Sequence, residues 1–175
     1  MAHPLDKFKY CPVCGSSHFD IHNEKSKQCA DCGFTYYANP SSATVALIVN
    51  EKNELLTVRR GKEPAKGTRD LPGGFVDMDE TGEQGMMREV KEETGLVVNR
   101  VEFLFSIPNL YEYSGMIIHT LDMFFLCQVD DMAAVRAMDD AADYEWIPLD
   151  EIIIEEFGLQ SIRAGLYRFL SVKIS

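Results

Sequence analysis

Two Cys-x-x-Cys pairs, Cys11-Pro-Val-Cys14 and Cys29-Ala-Asp-Cys32, govern what the first forty residues can become. Around them the chain is polar, rich in turn formers and poor in aliphatics, so this stretch has no apolar core of its own. Fourteen residues separate the pairs, enough for two turns to converge on one tetrahedral four-thiolate zinc site formed by Cys11, Cys14, Cys29 and Cys32. Such a site leaves no position for water, so its zinc is expected to be structural and to stand in for the missing core. Gly15 and Gly33, after each pair, suit tight turns that aim backbone N–H groups at the sulfurs. His18 and His22 then read as loop histidines. Paired cysteines of this kind belong to a reducing compartment, which points to a cytoplasmic protein. The fifth cysteine, Cys127, sits in FFLCQV and reads as a small buried apolar residue.

The pattern changes at Asn39-Pro40-Ser41-Ser42, where aliphatic runs begin. The expected division is a zinc ribbon over residues 1–40 and a second domain over 41–175. In that domain TVALIV (44–49) and LLTV (55–58) read as strands, with Asn50-Glu51-Lys52-Asn53 as the turn of a hairpin. A basic loop and LPGG lead into helix-forming sequence over 80–94 that stops at Gly95. LVVNRVEFLFSI and MIIHTLDMFFLCQV read as strands separated by an aromatic turn region, NLYEYSG. After EWIPL, the spacing of Leu159, Ile162, Leu166, Phe169 and Leu170 predicts an amphipathic C-terminal helix. The sum is an α/β fold, a mixed sheet with helices.

No run approaches the ~18 apolar residues of a membrane span, and the N-terminus lacks the apolar centre of a signal peptide. A net charge of −11 argues against a broad nucleic-acid or membrane surface. It does not exclude an anionic substrate, because bound divalent cations invert the local field.

The most informative stretch is GFVDMDETGEQGMMREVKEETGL, residues 74–96. Glu89, Glu92 and Glu93 stand at i, i+3 and i+4, which puts three carboxylates on one helix face. Like charges this close repel, so they call for cations or basic side chains nearby. Hard oxygen ligands suit Mg²⁺ or Mn²⁺, and Glu80 upstream is placed to join them. Bound metals would neutralise a diphosphate, polarise the scissile P–O bond and activate water. An acidic run such as REVKEE alone would be a solvated helix face; the glycines and acids at fixed offsets around it argue otherwise. Gly85 lies inside the helix at a cost of about 1 kcal/mol relative to Ala. It either admits close packing on the sheet or is simply tolerated.

These offsets resemble the box of the Nudix family, with Gly74, Glu80, Arg88, Glu89, Val90, Glu92, Glu93, Gly95 and Leu96 filling every required position. Arg59-Arg60-Gly61, LPGGF and EWIPLDEI are also similar to family segments. The resemblance implies an α/β/α sandwich around a mixed sheet and a metal-dependent pyrophosphohydrolase. It implies metal binding by Glu80, Glu89, Glu92 and Glu93, with Gly74 in the metal set, and a catalytic group of Glu89, Arg88 and Glu93. Glu89 or a downstream acid, Asp143 or Glu145, is the implied base. The ribbon is similar to that of NADH pyrophosphatases. Where those enzymes carry Ser-Gln-Pro-Trp-Pro-Phe-Pro, this chain has Ser106-Ile107-Pro108-Asn109-Leu110, so NADH itself is not fixed as the substrate.

Arg59, Arg60 and Arg69, in the basic segment before the box, are candidates to meet substrate phosphates, although a solvated loop is an equal reading for each. Tyr36, Tyr37, Tyr111 and Tyr113 are available to stack on a base, although packing is the commoner role. The expected substrate is a small nucleotide diphosphate, ADP-ribose-like or a dinucleotide, with a homodimer as one way to complete the pocket. Two alternatives stand: a nucleoside triphosphate or RNA-cap pyrophosphohydrolase, and a ligand-sensing or nucleic-acid-binding protein. The intact glutamates weigh against the last.

Overall fold

A computed structural model describes residues 3–136, 138 and 141–173. The chain divides into two compact units, Met1–Pro40 with Leu110–His119, and Ser41–Asn109 with Thr120–Ser175.

The first unit carries three short antiparallel strands, β1 (Phe19–Asn23), β2 (Ser26–Cys29) and β3 (Thr35–Tyr37), in that order across the sheet. Its buried apolar cluster is Cys11, Phe19 and Cys29 with Phe34 against them. That is too small a core to hold the segment alone.

In the second unit, β4 (Ser41–Ile48) and β5 (Glu54–Arg60) are apolar on both sides, and their alternation feeds two separate cores. Val45, Leu47 and Leu55 pack with Phe124 and with Ile162, Leu166 and Phe169 of the C-terminal helix, here α2 (Gln160–Lys173). Ala46, Ile48 and Leu56 pack with Phe125 and with Met86 and Val90 of α1 (Gly82–Thr94). A strand layer with a helix on each face is the α/β/α sandwich the sequence implied. At Gly165 of α2 an added Cβ would lie 2.2 Å from the Phe124 ring, so this glycine permits the close approach of helix to sheet.

The strands of this unit form two three-stranded sheets. β6 is the short strand Arg69–Asp70, and β9 is Ala141–Pro148; β5 lies between them and pairs antiparallel with both. β7 (Val98–Tyr113) and β8 (Met116–Val129) flank the two-residue turn Ser114-Gly115, both at positive φ as hairpin turns favour. β8 also pairs with β4, in parallel, so the two sheet orders are β4-β8-β7 and β6-β5-β9.

Two expectations are corrected here. β4 and β5 do not form a hairpin along their length: they share the bridge Val49–Leu55 and a bond from Asn50 N–H to the Glu54 carbonyl, then diverge. Both strands are buried on both faces, and each finds its ladder with a strand distant in sequence, which no local turn reveals. The region NLYEYSG is strand as far as Tyr113, and the turn itself is only Ser114-Gly115. Among the described residues no helix is long and apolar enough to cross a membrane.

Candidate active site and metal centre

The carboxylate helix begins with a capping box. Thr81 accepts from the Gln84 N–H at 3.2 Å, and the Gln84 side chain accepts from the Thr81 N–H at 2.8 Å. It ends at Gly95, left-handed at φ 72°, whose N–H bonds the Lys91 carbonyl. Met86 and Val90 anchor the buried side, which leaves Glu89, Glu92 and Glu93 away from the core.

Opposite this face, the loop before the helix is stitched to β4. Thr44 N–H donates to the Gly74 carbonyl at 2.8 Å, Ala46 N–H to Pro72 and Val76 N–H to Ser42. Gly73, at φ 148°, lies so close to β4 that an added Cβ would be 2.0 Å from the Thr44 carbonyl oxygen. The Gly73 N–H donates to Glu93 at 3.0 Å. A Cβ on Gly74 would fall 2.6 Å from the Glu89 carboxyl carbon, so Gly74 contributes room for Glu89. The carbonyl of Gly74, a residue the sequence placed in the metal set, accepts from both the N–H and the hydroxyl of Thr44.

Arg88 is the hub. Its guanidinium donates to both oxygens of Glu80 at 2.9 Å, to Glu89 at 2.9 Å, to Glu92 at 3.1 Å and to the Phe75 carbonyl at 3.0 Å, with Asp77 at 3.7 Å. Glu80 is held below its ordinary pKa by Arg88 and the Asp77 N–H. Glu89 is pushed up by burial, and the charges of Glu92 and Asp77 add to that against the pull of Arg88. Within one loop and helix, four carboxylates, those of Asp77, Glu80, Glu89 and Glu92, share one guanidinium. This surplus of hard oxygen donors fits a divalent cation in its chemistry. The oxygens do not converge as the sulfurs do: among the described residues, the four cysteines are the group whose donor atoms all lie within 4.8 Å of one another. Gly85 faces the loop and not the sheet, since a Cβ there would meet Glu80 Oε2 at 3.2 Å and Val76 at 3.3 Å.

Of the three candidate phosphate arginines, the structure commits two to carboxylates. Arg60 pairs with the buried Asp70 and donates to the Pro64 carbonyl at 2.7 Å. Arg69 bridges Glu145 at 2.6 Å and Glu156 at 2.5 Å, both of which hold its proton more firmly. Arg59 donates to the Gly67 carbonyl at 3.3 Å. Of the two downstream acids, Glu145 is therefore tied to Arg69, while exposed Asp143 accepts from the Tyr144 N–H. Sequence reasoning missed Gly73 as the donor to Glu93, and Asp77 and the Phe75 carbonyl as partners of Arg88. The paired glycines signalled close approach, and nothing in the sequence separated Asp77 from the other loop acids.

In the first unit, Cys11 Sγ lies 3.7 Å from Cys32 Sγ and Cys14 Sγ 3.6 Å from Cys29 Sγ. The two knuckles repeat one another: Gly15 and Gly33 take positive φ and donate to the Cys11 and Cys29 carbonyls, and the Cys11 and Cys29 N–H groups donate to Ser16 and Phe34. His18 is engaged with Asp31, away from any ligand role. His22 stands on β1 and not in a loop.

The family model of the NUDIX domain matches residues 39–170. The chain belongs to the Nudix family. The NAD-capped RNA hydrolase NudC of Vibrio cholerae is 27% identical over 150 residues, 86% of this chain and 53% of that protein. The ADP-ribose pyrophosphatase of Methanocaldococcus jannaschii is 34% identical over 121 residues, 68% of each chain. This Nudix chain spans about half the length of the NudC relatives it matches. A Nudix hydrolase from Nitrosomonas europaea shares the fold with a TM-score of 0.71 at 24% identity, over 93% of this chain and 90% of its own. Nudix enzymes generally require divalent metals, and the four cysteines form a separate group whose donor atoms lie close enough together to hold a metal ion.

Proposed function

We propose that this chain is a metal-dependent pyrophosphohydrolase, cutting the phosphoanhydride bond of a nucleoside diphosphate linked to another moiety. The substrate class is ADP-ribose-like or dinucleotide. The observation that carries the reading is the shared network of Glu80, Glu89, Glu92 and Arg88, with Glu93 locked to Gly73 across the same loop. Relatives named as an ADP-ribose pyrophosphatase and as NAD-capped RNA hydrolases support the substrate class.

Mg²⁺ or Mn²⁺ held by Glu89, Glu92 and Glu93, with Glu80 behind them, would neutralise the diphosphate, polarise the scissile P–O bond and acidify the attacking water. The chain's own residues set the stage for that. Arg88 fixes the rotamers of three glutamates at once, and the Gly73 N–H orients Glu93. Glu89, half-buried with its pKa raised by that burial, is suited to take a proton from water at its carboxylate. Asp143 is the alternative base, since Glu145 is engaged by Arg69. Arg59 is the favoured phosphate contact of the three arginines. In the ribbon, Cys11, Cys14, Cys29 and Cys32 would hold a structural zinc.

The test is metal-dependent phosphate release from ADP-ribose, NADH, NAD, nucleoside triphosphates and NAD-capped RNA. Turnover of ADP-ribose or a dinucleotide that needs Mg²⁺ or Mn²⁺ is the expected result, and Glu93→Gln should lower it by about 10² or more. No turnover of any of these compounds would overturn the reading. NAD-capped RNA turned over far faster than free NAD would favour the second reading, an RNA-cap hydrolase, to which the NudC relatives point.

A further inference from the structure

The charge of this chain is unevenly spread. In Met1–Pro40 four lysines balance four acids, so the entire −11 falls on the rest. Within that neutral segment Lys7-Phe8-Lys9-Tyr10 alternates cation and aromatic, and all four are exposed, with Tyr10 at 66%. Phe8 stacks on Tyr36 of β3, ring centroids 6.1 Å apart and planes 19° from parallel. Tyr36 stays 42% exposed. The strip is held in place from beneath: the buried Lys27, cross-strand neighbour of Tyr36, donates to the Phe8 carbonyl at 2.8 Å. Leu5 is buried beside it, and its N–H is bonded to His3.

Exposed aromatic rings on an ordered backbone, with lysines alternating between them along the chain, have the two parts of a single-strand nucleic-acid platform. Bases stack on the rings without sequence readout, and the lysines meet the phosphates. We propose that Lys7, Phe8, Lys9, Tyr10 and Tyr36 form a binding surface for single-stranded nucleic acid on the ribbon unit. The sequence-level objection, a strongly acidic chain, concerns the other residues and not this surface. Paired bases offer no free face to stack, so duplex binds poorly here. The surface stands independently of the hydrolase reading, because a strand without any anhydride bond suffices to occupy it.

Fluorescence anisotropy tests this with the full zinc-loaded chain and a labelled, uncapped single-stranded oligonucleotide of mixed sequence, run as RNA and as DNA at low salt. Wild type is expected to bind at least one of the two, and Tyr36→Ala to weaken that binding about ten-fold, one stacked base lost. Tyr36→Phe, which keeps the ring, should bind within two-fold or so of wild type. Lys7→Gln with Lys9→Gln should weaken binding and reduce the slope of log K against log salt by about 1.4, two phosphate contacts at about 0.7 each. Zinc content equal to wild type certifies that each variant keeps the ribbon folded. No binding of either strand, duplex bound as tightly as single strand, or Tyr36→Phe losing as much as Tyr36→Ala would each overturn the proposal.

Discussion

The two clusters proposed to hold metals in this chain are built in opposite ways. In the ribbon, four sulfurs lie together with almost no apolar core behind them, so the donors are themselves the centre of the unit. On α1, the glutamates stand on a helix already fixed by a core, a capping box and a left-handed stop, and their oxygens are tied to Arg88 and Gly73. On the proposed reading the first arrangement would need its metal to fold, while the second is already held by its core and its caps. That is the difference between a metal that replaces a core and one that serves a reaction.

Removing the ribbon's metal should break this comparison most visibly. Chelation of zinc, or Cys29→Ser, is expected to abolish the dispersed amide signals of the first unit, since four-thiolate zinc contributes on the order of 10 kcal/mol to folding. NMR of the full chain follows this directly. Glu89→Gln should do the reverse, cutting turnover by about 10²–10⁴ while the melting temperature moves by a few degrees at most. If that variant unfolds the second unit, the acidic face is structural after all. Asp70→Asn sharpens the contrast between arginines, because it removes the charge of the buried carboxylate that Arg60 meets. Denaturant unfolding should register a loss of about 3–5 kcal/mol. Smallest is Thr81→Ala, which removes the side-chain half of the capping box and should cost about 1 kcal/mol by the same measurement.

What the sequence revealed follows the range of the forces involved. α1, α2, the cysteine knuckles and the two-sided strands were legible because capping, periodicity and burial act over a few neighbouring residues. The partner of β4 was not, since its ladder is with β8, Ser41 opposite Thr120 and Ile48 opposite Cys127. The arginines failed for a related reason. Arg69 looks like a free cation next to the box, yet the acids that engage it come from 76 and 87 positions away. Arg88 and its glutamates were recognisable because all but the loop partners sit within one helical turn. The roles of Gly73 and Gly74 needed coordinates, because a glycine announces closeness without saying to what.

The loop from Gly73 to Glu93 is closed at both ends by its own bonds, Gly73 N–H to Glu93 and the Phe75 carbonyl to Arg88, and pinned to β4 at Thr44. It is a ring in mechanical effect, with a fixed circumference. A single inserted residue between Gly74 and Thr81 is expected to open one of these closures, releasing Glu93 or Arg88 from its loop partner while the helix stays in place. The same insertion in the Asn50–Asn53 turn passes into solvent.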